Sequence, residues 1–403
     1  MSTLLQINTV VNYGSTGRIA EDIGKTAMSN GWESYIAYGR YDRPSRSKLI
    51  RIGSDFDQKV HGLQTRLFDR HGLGSVAATR TFIEQVKRIK PGVIHLHNLH
   101  GYYLNIEILF GYLSASDIPV VWTMHDCWPV TGHCVYFDFV ECHKWKTECG
   151  NCPQTKSYPA SLVADRSREN FRLKKRLFAS VKNMTLVPVS DWLAEIVRHS
   201  FLADFPVEII NNGIDTEVFK PVENRDLRAK YGLSDHFVIL GVAGLWSPRK
   251  GLKDFIKLSQ QLPDHTRIVL LGLDAHQLKN LPENITGIVK TESVRELAEL
   301  YSMADVYVNP TWEDNFPTTN LESLACGTPV ITYRTGGSVE SVSEGTGLIV
   351  EKGDINGLLL AIERVRTKGK ASYSANCVNR AKRYYRKEDR YNDYMELYQK
   401  IQP

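Results

Sequence analysis

Two successive series of short, apolar, β-rich runs, each run separated from the next by a longer stretch of helical period, restrict this chain to an α/β fold built on parallel sheets. In the first half, strands are expected at Leu4–Val10, Ser34–Tyr38, Val93–Leu96, Val120–Thr123 and Leu186–Val189, with a helix from Gly17 to Ser29 after the first of them. The second series runs through Phe237–Val242, Ile268–Leu271, Val306–Asn309, Pro329–Tyr333 and Gly347–Val350. Between the two, Ile209-Ile210-Asn211-Asn212-Gly213-Ile214-Asp215 followed by Phe219-Lys220-Pro221 reads as a connection rich in turn formers. A polar, aromatic helix is expected from about Tyr384 to Ile401. The 403 residues exceed what one ordinary core organises. The expected division is therefore a Rossmann-like domain over residues 1–215, a second over 216–383, and a C-terminal helix over 384–403 that returns to the first. In sheets of this kind ligands sit beyond the carboxyl ends of the strands, so the chemistry is sought in the loops that follow them.

Composition narrows the class of function. Hydrophobic residues make up 42% and charged residues 24%, the profile of a soluble globular protein. A net charge of +5 is too mild to argue for nucleic acid, and nucleic acid is not expected as a partner. No apolar run approaches the roughly 18 residues of a membrane-spanning helix. The first residues carry no basic segment and no small-residue cleavage site, so they read as a strand and the expected compartment is the cytoplasm. There the seven cysteines are not expected to form disulfides.

The most informative stretch is Asn309-Pro310-Thr311-Trp312-Glu313-Asp314-Asn315-Phe316-Pro317-Thr318-Thr319-Asn320-Leu321-Glu322, continuing to Cys326-Gly327-Thr328-Pro329. A strand runs into a loop and then into a helix that Pro317 can start and Gly327 can stop. The start of such a helix offers free backbone N–H groups and a positive dipole end, a ready site for a diphosphate. Asp314 in the loop and Glu322 on the helix can face back to that point and accept hydrogen bonds from sugar or ribose hydroxyls. A second element, Gly241-Val242-Ala243-Gly244-Leu245-Trp246-Ser247-Pro248-Arg249-Lys250-Gly251, follows the first strand of the second series. Lys250 is a point charge suited to phosphate and Arg249 a bidentate fork.

These segments resemble the retaining GT-B glycosyltransferases of family 4, in particular the capsule and exopolysaccharide, colanic-acid-type branch with its Glu-Asp-Asn-Phe-Pro run. The family's paired acidic motif places its first acid on Asp314, an aspartate where glutamate is usual, and its second on Glu322. The resemblance implies that Glu322 holds the donor ribose, while Asp314 and the groups around Asn315, Phe316, Pro317 and Thr318 meet the donor sugar. It also implies a lysine matching Lys250; the family arginine position holds Leu245, and Arg249 is expected to replace its charge. In the first domain, Asn12-Tyr13-Gly14-Ser15-Thr16-Gly17-Arg18 forms a turn where a ligand can approach the backbone at Gly14 and Gly17, although the third glycine of a dinucleotide fingerprint is absent. The run Val120-Val121-Trp122-Thr123-Met124-His125-Asp126 ends in His125, which matches the family histidine that meets the donor sugar near the reacting carbon.

Three further features invite metal chemistry or contacts. His95, His97 and His100 look like a metal cluster but have no carboxylate or cysteine interleaved, and are expected to line a strand end. Asp55-Phe56-Asp57 has the form other glycosyltransferases use for a metal, yet lies in the acceptor-side domain, so transfer without a metal cofactor is expected. Five cysteines crowd into residues 127–152, and Cys134, Cys142, Cys149 and Cys152 are the candidate ligands of a structural zinc in an insertion, with His133 or His143 as substitutes. Arg166 to Lys182 carries seven basic residues against one acid, with Phe171, Lys174, Lys175 and Phe178 on adjoining helical turns. That helix is expected to rest on an anionic membrane surface at the inner face of the cytoplasmic membrane, beside a solvated-face alternative.

The expected molecule is thus a GT-B enzyme with a cleft between its two domains. It would move a hexosyl-type group from a nucleotide-sugar donor to a glycan or lipid-linked acceptor in surface polysaccharide synthesis, with retention of configuration. The alternatives are a GT-B sugar epimerase or phosphorylase, and a non-catalytic interaction protein stabilised by zinc.

Overall fold

Most of the runs expected to be strands are buried along nearly their whole length, which is what a parallel sheet covered on both faces demands of its inner strands; Gly347–Val350 is only half-buried. In the computed structural model, which describes residues 2–223 and 225–402, the first unit comprises Met1–Asn211 with Arg390–Pro403, and the second Asn212–Asp389. The first unit runs β1 (Thr3–Asn8), α1 (Gly14–Ser29), β2 (Glu33–Tyr38), β3 (Lys48–Arg51), α2 (Asp55–Phe68), α3 (Val76–Ile89), β4 (Val93–Leu96), α4 (Ile106–Ser114), β5 (Val120–Met124), α5 (Ser167–Phe178), β6 (Met184–Pro188) and α6 (Asp191–Arg198). The second runs α7 (Arg225–Lys230), β7 (Phe237–Val242), α8 (Leu252–Ser259), β8 (Thr266–Leu271), α9 (Ala275–Leu278), β9 (Ile285–Ile288), α10 (Val294–Met303), β10 (Val306–Asn309), α11 (Thr318–Ala325), β11 (Val330–Tyr333), β12 (Gly347–Val350), α12 (Ile355–Lys368) and α13 (Ala371–Tyr384). A last helix, α14, spans Lys387–Ile401.

Both sheets are six-stranded and parallel, in the orders β3-β2-β1-β4-β5-β6 and β12-β11-β10-β7-β8-β9. Counted from its own first strand, each sheet has the same doubly wound order, so each is Rossmann-like and each reverses beside its first strand.

The C-terminal helix begins at Lys387; Tyr384 instead ends α13. From Arg390 on, it belongs to the first unit, where Tyr391, Tyr394, Met395, Leu397 and Tyr398 join Leu4, Ile23, Val93, Val121 and Val187 in one apolar cluster. Its tyrosines also satisfy buried polar groups: the Tyr398 hydroxyl lies 2.6 Å from His95 Nδ1 and the Tyr394 hydroxyl 2.9 Å from Thr123 Oγ1.

The basic helix departs from expectation. Phe171, Lys174 and Phe178 of α5 are buried, so the face proposed for a membrane is the face turned inward. Lys174 Nζ donates to the carbonyls of Trp128 and Thr131 at 2.8 and 3.0 Å and stands 3.5 Å over the Trp128 ring. The physical reason is periodic: the two phenylalanines recur at helical spacing, and apolar surface of that size is stabilised more by the core than by water.

The first unit is rich in enclosed imidazoles. Burial pushes His61 and His125 down to about 4 and holds His71, His95 and His97 well below the ordinary histidine range. His133 goes the other way, because the hydrogen bond and charge of Asp69 outweigh its burial. For the five depressed rings the unfolded chain takes up protons first. Their contribution to stability is whole above about pH 6.5 and is lost as pH falls toward about 4; the raised His133 opposes this. The first unit's urea midpoint is therefore expected to be lower at pH 5 than at pH 7, and an equal or higher midpoint at pH 5 would contradict the assignment.

Candidate active site

In the second sheet the strand order reverses between β10 and β7, so the loops leaving these two strands lie side by side. Their approach depends on Gly251, at φ +78°, where an added Cβ would stand 2.1 Å from the Pro310 carbonyl oxygen. Arg249 laces the loops together: its Nη1 donates to the Glu313 carbonyl at 2.9 Å, and its own carbonyl accepts from Trp312 N at 2.8 Å. Trp312 Nε1 in turn donates to Asp254 Oδ2 at 2.6 Å. Arg249 is thus a brace of the loop as well as a charge.

Lys250 Nζ meets Asp314 Oδ2 at 2.5 Å, with both side chains mostly buried. The other oxygen of Asp314 accepts from Asn315 N at 3.0 Å, and the Phe316 carbonyl accepts from Asn212 Nδ2 at 3.0 Å. Pro317 stands at the N-cap, one position earlier than expected, so α11 starts at Thr318. A proline there has no side-chain acceptor, and the first-turn N–H groups receive no cap from it. The helix ends at Ala325, with Gly327 just beyond at φ +74°. A cation held in place beside the positive end of a helix makes an arrangement suited to a diphosphate.

Glu322, on α11 and 8% exposed, accepts a hydrogen bond from the Tyr301 hydroxyl at 3.0 Å. Tyr301 belongs to α10 and is fully buried; burial first and the Glu322 charge next push its phenol well up, so it remains a donor. Sequence reasoning missed it. A tyrosine on the apolar stripe of a helix reads as core, and nothing in its neighbours signals a carboxylate partner.

In the first unit, α1 opens at Gly14, φ +63°, rather than at Gly17. Gly17 sits under the chain leaving β1: a Cβ there would lie 3.0 Å from Val10 Cγ2 and 3.1 Å from Asn12 N. His125 follows β5, and its protonation can be derived from a chain of hydrogen bonds. Gln6 Nε2 donates to the Ala20 carbonyl at 2.8 Å, so Gln6 Oε1 is the acceptor for His97 Nε2 at 3.0 Å. His97 Nδ1 then carries the lone pair facing His125 Nε2 at 3.2 Å, which makes Nε2 the protonated nitrogen of His125 and Nδ1 its acceptor.

The other histidines of that run belong to separate networks. His95 Nε2 lies 2.7 Å from Thr123 Oγ1, and His100 Nε2 is 2.7 Å from Asp126 Oδ2. Asp57 of the Asp-x-Asp triplet is used locally, accepting from Ser54 N and Oγ at 2.8 and 2.7 Å in the capping box of α2.

Cys134, Cys142, Cys149 and Cys152 are free thiols that line, with His133, one cavity of about 20 Å³. The Cys134 and Cys152 thiols hydrogen-bond to each other, and Gly132 N donates to Cys149 Sγ at 3.3 Å. His133 Nδ1 pairs with Asp69 Oδ1 at 2.6 Å, while its buried Nε2 has no hydrogen-bond partner among the described residues. Among the described residues these side chains do not form a group of three or more that could hold a metal ion as they stand.

The relay makes a spectroscopic prediction. In ¹⁵N-labelled protein at pH 7, His125 and His97 are both expected as the Nε2–H tautomer, and Gln6→Leu should let the His97 and His125 tautomers mix. An Nδ1–H tautomer at His125 in the unsubstituted protein would contradict the chain of donors.

Comparison with known proteins bears on the fold and the family. The family model described as Glycosyltransferase Family 4 matches residues 16–218, and that described as Glycosyl transferases group 1 matches residues 236–368. A putative colanic acid biosynthesis glycosyl transferase, WcaC of Escherichia coli K12, is 25% identical over 377 residues, covering 87% of this chain and 88% of the relative. Among solved structures, the sucrose-phosphate synthase of Thermosynechococcus elongatus superposes with a TM-score of 0.73 at 18% identity, covering 100% of this chain and 99% of that one. Anabaena Alr3699/HepE, crystallised in complex with UDP, superposes with a TM-score of 0.69 at 15% identity, covering 99% of this chain and 100% of that one. With half of its length matched by one family model and two Rossmann-like units of the GT-B kind, the chain belongs to glycosyltransferase family 4.

Proposed function

We propose that this glycosyltransferase takes a hexosyl-type group from a nucleotide-sugar and passes it, with retention of configuration, to a glycan or lipid-linked oligosaccharide acceptor in surface polysaccharide synthesis. The observation that carries the donor half is the Lys250–Asp314 pair set beside the start of α11 at the strand-order reversal. HepE, solved with UDP and with UDP-glucose, supports a nucleoside diphosphate, and the naming of WcaC as a putative colanic acid biosynthesis glycosyl transferase supports the polysaccharide.

In this reading Asp314 aims Lys250 in the resting site, and the donor diphosphate takes over part of its charge. As the bond to the sugar C1 breaks, negative charge grows on the leaving diphosphate, where Lys250, Arg249 and the N–H groups of α11 stabilise it most. Glu322, steadied by Tyr301, accepts from the ribose hydroxyls. Asp314 with the backbone of Asn315, Phe316, Pro317 and Thr318 meets the donor sugar. His125 presents its Nδ1 edge near the reacting carbon, and the loop at Gly14 and Gly17 lets the ligand approach the backbone. A leaving phosphate oxygen takes the acceptor proton, so the protein mainly orients and stabilises charge, with no metal cofactor in the step.

A panel of nucleotide-sugars, assayed for release of nucleoside diphosphate with glycan and lipid-linked acceptors, is expected to reveal at least one donor. With it, Glu322→Ala should cost about 1.5–3 kcal/mol, roughly ten- to a hundredfold in kcat/KM, and Lys250→Ala should lower kcat more than donor affinity. No turnover of any donor, or folded variants with unchanged kinetics, would remove the reading.

A structural zinc on Cys134, Cys142, Cys149 and Cys152 is the second part of the proposal, supported by the four cysteines and His133 lining one small cavity and by the buried His133 Nε2 that has no hydrogen-bond partner among the described residues. The thiols would have to close onto the ion, and the binding energy would then be local folding energy. Elemental analysis of purified protein should find about one zinc per chain, released by Cys149→Ser. Protein without zinc, and with all thiols freely titratable in the native state, would exclude it.

A further inference from the structure

A second cavity, of about 640 Å³, opens within the first unit, away from the histidine relay. Its walls come from the chain after β2, from α2, and from Tyr102 after β4, so it lies beyond the carboxyl ends of strands. Arg40, Lys59 and Arg66 line it, and among the described residues no carboxylate lies within ion-pair distance of any of them. The one acid in its wall, Asp55, is already engaged by Arg51. Arg40 is held over the rings of Tyr41 and Tyr102, at 5.2 and 6.0 Å, an arrangement that lays its guanidinium along the wall. Three uncompensated cations around a concavity of ligand size favour an anion.

The surroundings are apolar in a way that an anion alone does not explain. Phe56, Val60 and Leu63 recur at helical spacing along α2 and are exposed, Phe56 at 73% and Leu63 at 57%. Leu162 and Val163, exposed at 66% and 76%, are tied to the same helix, because Leu162 N donates to the Arg66 carbonyl at 2.7 Å. Exposed large apolar side chains gathered on one helix and the segment bonded to it mark an interaction surface. Leu63 belongs to both, since it also lines the cavity.

From this juxtaposition we infer that the cavity binds the phosphate or diphosphate group of an amphiphile, with Arg40, Lys59 and Arg66 on the anion and the strip from Phe56 to Leu63 against its hydrocarbon. The inference rests on the acceptor half of the proposed function and names its chemistry. The same chemistry is offered by a lipid-linked acceptor and by the headgroups of an anionic bilayer.

The test uses the full chain with phosphatidylcholine vesicles, plain or doped to equal charge with a polyprenyl diphosphate or with phosphatidylglycerol. The unsubstituted protein is expected to sediment with doped vesicles and not with plain ones. The double variant Lys59→Glu, Arg66→Glu should lose at least about tenfold in apparent affinity. Phe56→Ser, in the apolar strip but outside the cavity wall, should weaken vesicle binding but retain a water-soluble short-chain prenyl diphosphate. Preference for polyprenyl diphosphate, with competition by the short-chain compound, assigns the site to the acceptor; equal binding to phosphatidylglycerol assigns it to the bilayer. Binding by the double variant equal to that of the unsubstituted chain would overturn the inference. Calorimetric titration of the unsubstituted protein with nucleoside diphosphate reports the donor site separately: no binding there counts against the transferase reading, whereas nucleotide binding without sedimentation on doped vesicles counts against the amphiphile site alone.

Discussion

The reversal of strand order between β10 and β7 is the constraint on which the donor-side geometry depends. Strands to either side of it send their following helices to opposite faces of the sheet, which opens a crevice between two loops that would otherwise be covered. Everything placed there uses that opening. Gly251 lets the loops touch, Arg249 fastens them, and Lys250 meets Asp314 in the resulting corner. A larger residue at Gly251 would collide with backbone at Pro310, and a flexible lysine without its aspartate would spend its charge in water. The site is therefore a property of topology first and of side chains second.

The same sheet order in the first unit yields a different kind of site. Here the polar groups turn inward: Gln6 and His95 on central strands and His97 just after β4 are enclosed, Gln6 bonding His97 and Ala20, and His95 bonding Thr123 and Tyr398 of α14. Buried polar groups are costly unless every donor meets an acceptor, so such a relay fixes protonation states as well as positions. It leaves His125 neutral and with a defined edge, which suits a group that lies against a sugar and does not exchange protons with it. The C-terminal helix takes part beside the relay, because Tyr398 and Tyr394 satisfy His95 and Thr123 from the far end of the sequence.

The central strands were legible in the sequence because they are largely apolar runs, and Val93–Leu96, Phe237–Val242 and Val306–Asn309 fall where expected, as does Gly347–Val350 at a sheet edge. The two strands that were not, Lys48–Arg51 and Ile285–Ile288, both lie at an edge. An edge strand is paired on one side only; the first is largely exposed and begins and ends in a cation, and the second contains Gly287, so neither carries the apolar signature of a core strand. The β10–α11 loop was legible because a proline, a glycine and two acids at fixed spacing mark a strand–loop–helix. Its internal partners were not: that Lys250 binds Asp314 and that Tyr301 binds Glu322 follows from folding, across 64 and 21 residues. The basic helix was misread for the opposite reason. Its charges are conspicuous in sequence, but the phenylalanines between them decide which face is buried, and Lys174 is carried in with them.

The account stands on the claim that the β7 and β10 loops receive a nucleoside diphosphate. Hydrogen–deuterium exchange on the whole chain, with and without a saturating nucleoside diphosphate that the enzyme releases in turnover, tests it directly. Slower exchange confined to residues 249–251 and 314–320 is the predicted result. Unchanged exchange in both segments, with protection appearing elsewhere in the chain, would contradict it.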